Sequence, residues 1–200
     1  MRRTSRLLAS LALWLALDLR AATADVPYTP PPVGLTIVLQ GSFKGSPIEI
    51  SQTVTAVEGD IVFVRGNSPG HEDERYYRFL VSTKSGDIHY RMDTAKLAAL
   101  WPLAPGKTVS LWGVAENGGN QLPFDFTVTV GDYESITVPA GAFDTIRVSY
   151  TLAVGYGSNL ARVESLSWID VASSLPVRNE TTVFAMGGSI DLSMEAKSIE

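Results

Sequence analysis

Apolar and polar residues alternate with a period of two along most of the chain. The longest run flanks residues 138–148. Before that stretch, Phe124, Phe126, Val128 and Val130 alternate with Asp125, Thr127 and Thr129. After it, Ile146, Val148, Tyr150, Leu152 and Val154 alternate with Arg147, Ser149, Thr151 and Ala153. Alternation of this length marks strands with one buried face. Between them Pro139 pre-sets φ, Gly141 permits a positive φ and Phe143 returns the chain to the core, so residues 138–148 read as a turn between two long strands.

The same pattern predicts further strands over residues 35–43, 48–57, 61–65, 76–83, 88–92, 108–116, 133–138, 159–170, 177–186 and 190–199. Turn pairs separate them, among them Gly59-Asp60, Gly86-Asp87 and Gly118-Gly119. Residues 93–100 break the alternation. Asp93 or Thr94 can cap there, the next six residues are good helix formers, and Pro102 stops the run. The prediction is one all-β domain over residues 35–200 with a single short helix, built as an antiparallel sheet, sandwich or barrel.

The N-terminus follows a different pattern. Arg2, Arg3 and Arg6 precede an apolar run at residues 7–17, and Ala22-Thr23-Ala24 supplies a small-x-small cleavage pattern. Residues 1–24 read as a signal peptide cut between Ala24 and Asp25, with the periplasm as destination. The run is too short to span a bilayer, so no stable membrane insertion is expected after cleavage. No cysteine follows the cut, so no lipid anchor is expected there. Residues 25–34, with Pro27, Pro30, Pro31 and Pro32, read as a stiff spacer ahead of the fold.

Charge and composition narrow the function classes. With residues 1–24 removed, four arginines and Asp18 go, leaving 12 basic and 20 acidic side chains and a net charge of −8. That balance disfavours nucleic acid and anionic membrane surfaces as partners. The absence of cysteine excludes thiol catalysis, disulfides and Cys-ligated metal. His71 in His71-Glu72-Asp73-Glu74-Arg75 lacks the second histidine of a zinc-protease helix, and His89 is the one other imidazole. The chain has no Gly-x-Ser-x-Gly elbow, phosphate loop or dinucleotide fingerprint. Neither a catalytic residue, a metal site nor a cofactor is expected. Asn179-Glu180-Thr181 matches a glycosylation pattern but falls within a predicted strand.

Aromatic residues remain, among them Trp101, Trp112 and Trp168 with Tyr76, Tyr90 and Tyr150. Either they close the inner face of the sheet, or a strongly curved sheet leaves an aromatic-lined groove for a greasy ligand. On the second reading the candidate contacts are Trp112, Trp168, Tyr150 and Phe126.

The run from Glu134 through Pro139, Ala140, Gly141, Phe143 and Asp144 to Val148 resembles the "E-x-V-T-V-P-A-G-T-F-D-T" segment of uncharacterised bacterial periplasmic proteins of the DUF3108 and TapB-like type. Residues 103–107 and the pair Trp168 … Pro176-Val177-Arg178-Asn179-Glu180 resemble flanking segments of the same proteins. Ala142 stands where those proteins usually have threonine, and residues before Leu100 have no counterpart. The family is similar to the LolA/LolB-like proteins. The resemblance implies a strongly curved antiparallel half-barrel that holds a lipid or other hydrophobic molecule on its concave face without catalysis. An envelope assembly factor docking through a free sheet edge, or an enzyme with an unrecognised site, are the alternatives.

Overall fold

A computed structural model describes residues 25–155 and 160–200. The predicted signal peptide and its cleavage site, and the loop residues Tyr156 to Asn159, lie outside the described residues. Twelve described strands follow one another as a meander: β1 Thr36–Phe43, β2 Ser46–Glu58, β3 Ile61–Gly66, β4 Glu74–Tyr77, β5 Val81–Ser85, β6 Ile88–Met92, β7 Thr108–Asn117, β8 Asn120–Val138, β9 Gly141–Val154, β10 Ala161–Asp170, β11 Pro176–Ala185 and β12 Gly188–Ile199. Each pairs antiparallel with its sequence neighbours, and β1 pairs with both β2 and β12.

The sheet is therefore a closed barrel, not the open curved sheet or half-barrel expected from the resemblance. Ile37↔Ile199 at one end of the seam and Phe43↔Leu192 at the other close it over the whole of β1. Closure gives every described strand a partner on both sides, so no strand is left wholly unpaired along an edge for docking. Alternation cannot distinguish the two outcomes, because strands of an open and a closed sheet show the same period.

Two strand boundaries differ from the sequence reading. Residues 123–138 form one continuous strand, with a register shift between Val130 and Tyr133 where Gly131 and Asp132 sit. Residues 76–83 are two strands, because Arg78 and Phe79 both take positive φ, +46° and +55°, and turn the chain. Neither residue is a turn former, so the pattern concealed this corner.

One end of the barrel is filled. The helix falls where predicted, as α1 Thr94–Leu97 continued by a 3-10 turn at Ala98–Leu100, with the Asp93 carboxylate accepting the Ala95 N–H at 3.1 Å. Leu97, Leu100 and Leu103 are fully buried against the inward faces of Val128, Val130, Ile146 and Val148. Val26 joins them, exchanging backbone hydrogen bonds with Leu103 at 2.8 Å in each direction. Thr29 N–H donates to Ser174 Oγ at 3.0 Å. The expected spacer is thus part of the plug, not a free linker. Its prolines leave few donors to satisfy, and Val26 supplies the apolar anchor.

Removing the helix cap tests how far this plug depends on local structure. Asp93→Ala is expected to cost about 0.5–1 kcal/mol, the lower part of the range for a lost N-cap. A thermal melt should show the midpoint falling by about 1–4 °C for a chain of this size.

A second apolar cluster lies around Ile37, Val54, Val62, Val64, Phe79, Val138, Trp168, Val177 and Ala196. The tip of the β8–β9 hairpin reaches it, with Ala140 N–H donating to Ala196 O at 3.0 Å. Within the hairpin, Ser135 Oγ donates to Asp144 at 2.6 Å, and the Asp144 carbonyl accepts the Val171 N–H at 2.9 Å. Gly141 has φ +141° at the end of the Pro139-Ala140 turn. Pro139, Gly141, Phe143 and Asp144 thus shape a hairpin that ties β8 to β12 and to the β10–β11 connection.

Candidate functional site

A barrel of eight strands is just wide enough for its own side chains to fill it. Twelve strands enclose more space, and here the plug fills one end alone. Toward the other end, marked by the β1–β2, β7–β8 and β11–β12 turns, the inward-facing residues become progressively exposed. On β8, Val130, Val128, Phe126 and Phe124 are buried and Leu122 is exposed. On β12, Ala196 and Met194 are buried, whereas Leu192 and Ile190 are partly exposed.

Behind this mouth lies a cavity of about 240 Å³. Tyr76, Tyr90, Phe124, Phe126, Tyr150 and Leu152 form its apolar wall. The Phe126 and Tyr150 rings stack with centroids 6.2 Å apart and planes 16° from parallel. Tyr90 meets Phe124 edge to face at 6.0 Å. A second cavity of about 290 Å³ lies against Leu39, Ile50, Leu192 and Met194. Both are bounded by Tyr76, Leu80, Tyr150, Ser167 and Asn179, so these side chains divide one lumen into two compartments.

The lumen has a polar wall on β10 and β11, with Gln52 on β2 and Ser82 on β5 as further polar lining residues. Asn179 Nδ2 donates to Ser165 Oγ at 3.0 Å and to Ser167 Oγ at 2.7 Å. Thr181 Oγ1 donates to Asn179 Oδ1 at 2.8 Å, and Ser165 Oγ lies 2.7 Å from Thr181 Oγ1. Burial pushes the Tyr150 and Tyr76 phenols well above the ordinary tyrosine range, so both stay neutral. Tyr150 sits deep in the protein yet keeps accessible area, because that area faces the cavity.

The wall beside the first cavity is thin. β5 and β6 share two residue pairs, Lys84↔His89 and Ser85↔Ile88. No further pair joins them, and Val81 and Ser82 on one strand and Tyr90 and Met92 on the other border the cavity at that gap.

Of the four candidate contacts, the structure brings Phe126 and Tyr150 together at the lumen. Trp112 lies elsewhere, on the outer wall with 71% of its area exposed, opposite in parity to Leu111 and Ala115. Parity was the available signal, since Trp112 shares its face with Thr108, Ser110 and Glu116. Trp168 is buried in the second cluster, away from both cavities. Its indole N–H donates to Glu134 at 3.0 Å and Arg178 stacks over the ring at 4.8 Å. The polar lining residues Ser165, Ser167 and Asn179 escaped the sequence reading because a search for apolar inner faces passes over them. Asn179 faces the lumen, which leaves its amide inaccessible to glycosylation.

Ser85, His71 and Glu74 converge near the mouth. The Glu74 carboxylate lies 2.9 Å and the Ser85 hydroxyl 3.3 Å from the same ring nitrogen, Nδ1 of His71. A triad histidine needs one nitrogen on the nucleophile and the other on the acid, so these residues do not form a Ser-His-acid triad. Glu74, 4% exposed, also accepts from Ser85 Oγ at 3.2 Å and Gly86 N–H at 3.1 Å. The cluster clasps the 67–73 loop to the β5–β6 turn. Among the described residues no three His, Asp or Glu side chains gather where they could hold a metal ion.

Comparison with known proteins places the architecture. No family model matches the chain, and no curated protein matches it. The similarity to DUF3108/TapB-like and LolA/LolB-like proteins therefore rests on the segments quoted above. Solved structures do match. The hypothetical lipoprotein YmcC from Escherichia coli superposes with a TM-score of 0.53 at 6% identity, covering 84% of this chain and 90% of YmcC. The fold is YmcC-like. A protein described as a lipoprotein from Parabacteroides distasonis superposes with a TM-score of 0.51 at 16% identity, over 88% of this chain and 99% of that one. At these identities the likeness concerns the fold alone.

Proposed function

We propose that the protein is a non-enzymatic, extracytoplasmic binder that holds a hydrophobic or amphiphilic molecule, a lipid by preference, inside its barrel. The observation that carries this reading is the unfilled, aromatic-lined lumen at the end opposite the plug. Two adjoining compartments of about 240 and 290 Å³ are together of the size that small ligands occupy.

The outer wall supports a water-facing barrel over a membrane-embedded one. Thr108, Ser110, Thr127 and Thr129 form hydroxyl pairs there at 2.9–3.2 Å. Lys197 and Glu49 pair at 2.6 Å, and Arg91 and Glu116 at 2.7 Å. A membrane barrel has the reverse pattern, apolar outside and polar within. Export to the periplasm is supported by the signal-peptide pattern of residues 1–24 and by the lipoprotein descriptions of YmcC and the Parabacteroides protein. The LolA/LolB-like resemblance supports a lipid as cargo.

The test uses residues 25–200 and the apolar dye 1-N-phenylnaphthylamine, whose fluorescence rises on leaving water. The wild-type protein should take up the dye, and Leu152→Trp, which places an indole in the first cavity, should reduce uptake at least fivefold. Its circular dichroism should remain that of the wild type. No uptake by the wild-type protein, together with no lipid in a mass spectrum of its organic extract, overturns the proposal. A dye signal unchanged in a folded Leu152→Trp protein does the same.

A further inference from the structure

No charged residue lines the first cavity. Arg178 borders the second, but it faces outward in register with Trp168 and Glu195, its guanidinium stacked on the Trp168 ring and paired with Glu180 at 2.5 Å. Beside the first cavity an inward charge is negative. Glu74 is paired in register with Val64, whose side chain is buried in the barrel, and its carboxylate acts on the Tyr76 and Tyr90 phenols of the cavity wall. A buried carboxylate without a cation partner is expensive, and a second carboxylate beside it raises the cost.

The polar wall fits a different head. Both Nδ2 donors of Asn179 are engaged within the Ser165–Ser167–Thr181 cluster, whereas its Oδ1 keeps one free lone pair. The serine and threonine hydroxyls can each still accept a hydrogen bond. What this wall offers is neutral hydrogen bonding on one side of an aromatic chamber. The Phe126–Tyr150 stack adjoins it, with Tyr150 in register with Ser165, and supplies a flat apolar surface for a chain.

We propose that the ligand is a single-chain amphiphile with an uncharged polar head bearing hydroxyl, ester or amide groups. The barrel binds it in preference to a fatty-acid anion of the same chain. This inference rests on the lumen-binding reading and refines it.

The experiment measures displacement of 1-N-phenylnaphthylamine from residues 25–200 by monooleoylglycerol and by oleate. It is run at pH 8, far above the ordinary carboxylic-acid range, with both lipids below their aggregation thresholds. Monooleoylglycerol should displace the dye at a concentration at least tenfold lower than oleate. In Asn179→Leu, with each displacement normalised to the variant's own dye saturation, that ratio should fall toward one, and Asn179→Ser, which keeps a neutral hydrogen-bonding group, should hold it closer to wild type; a ratio unchanged in a folded Asn179→Leu protein overturns the inference. Oleate displacing the dye as well as or better than monooleoylglycerol overturns this inference and leaves the lumen reading intact. Failure of the wild-type protein to take up the dye overturns both.

Discussion

Replacing Arg78 with alanine is expected to destabilise the barrel by about 3 kcal/mol, from the loss of a partly buried ion pair and of several cation–π contacts. For a chain of this size that is a drop of about 6–12 °C in the melting midpoint. Arg78 occupies the corner between β4 and β5, where it and Phe79 both adopt positive φ. Its guanidinium donates to both oxygens of Asp60, at 2.9 and 3.3 Å, and its backbone N–H donates to the Asp60 carbonyl at 2.7 Å. The same guanidinium lies over the rings of Tyr28, Tyr77 and Trp101 at 5.2–5.5 Å. It therefore joins the β2–β3 turn, the β4–β5 corner, the N-terminal segment and the loop after α1. Tyr28 reflects this setting, its phenol pushed up to about 12 chiefly by burial, with Asp60 adding to the shift and Arg78 opposing it.

Three variants separate strain from contact. Alanine loses the contacts and keeps the cost of a left-handed residue, about 1 kcal/mol. Arg78→Gly loses the same contacts but relieves that cost, so it should melt between wild type and Arg78→Ala. Arg78→Lys keeps the charge without the two-pronged geometry and should fall short of wild type. Chemical denaturation of the four proteins checks the order, and an alanine variant within about 0.5 kcal/mol of wild type, inside the scatter of ordinary surface changes, would contradict the account.

The second large effect is expected at Gly41. A Cβ there would lie 2.7 Å from the Ser193 carbonyl carbon and 2.9 Å from the Met194 Cα. Both obstacles are backbone, so no side-chain rotation relieves them. β1 would have to move away from β12, at the seam where the first and last strands close the barrel. Gly41→Ala should cost about 2–3 kcal/mol, the upper part of the range for forced overpacking. The damage should be local first. Amide exchange is expected to accelerate in Thr36–Phe43 and Gly188–Ile199 before it does in β7–β9. Uniform exchange with an unchanged melting midpoint would show that the seam tolerates the methyl group.

These two positions also show where sequence reasoning stopped. Arg78 does not stand out along the chain, and Gly41 reads there as the start of a Gly41–Gly45 turn, whereas it lies within β1. Arg78 matters because Asp60, Tyr28 and Trp101 meet around it, at sequence separations of 18 to 50 residues. Gly41 matters because a strand 152 residues later lies against it. The lumen follows the same rule. Phe126 and Tyr150 were legible because they sit on strongly alternating strands. Asn179 and Ser167 are polar residues on inward positions, and their role depends on which strands surround them.

Alternation, turn pairs and the Asp93 cap determined by themselves the all-β class, most of the strands, the short helix and the Pro139–Gly141 hairpin. These are local preferences, each decided within about ten residues. Closure of the sheet, the plug built from Val26 and α1, the outward placement of Trp112, the burial of Trp168 away from the lumen, and the half-empty lumen were decided in three dimensions. Twelve strands pairing end to end fix an interior wider than their own side chains can fill, and no stretch of sequence carries that sum.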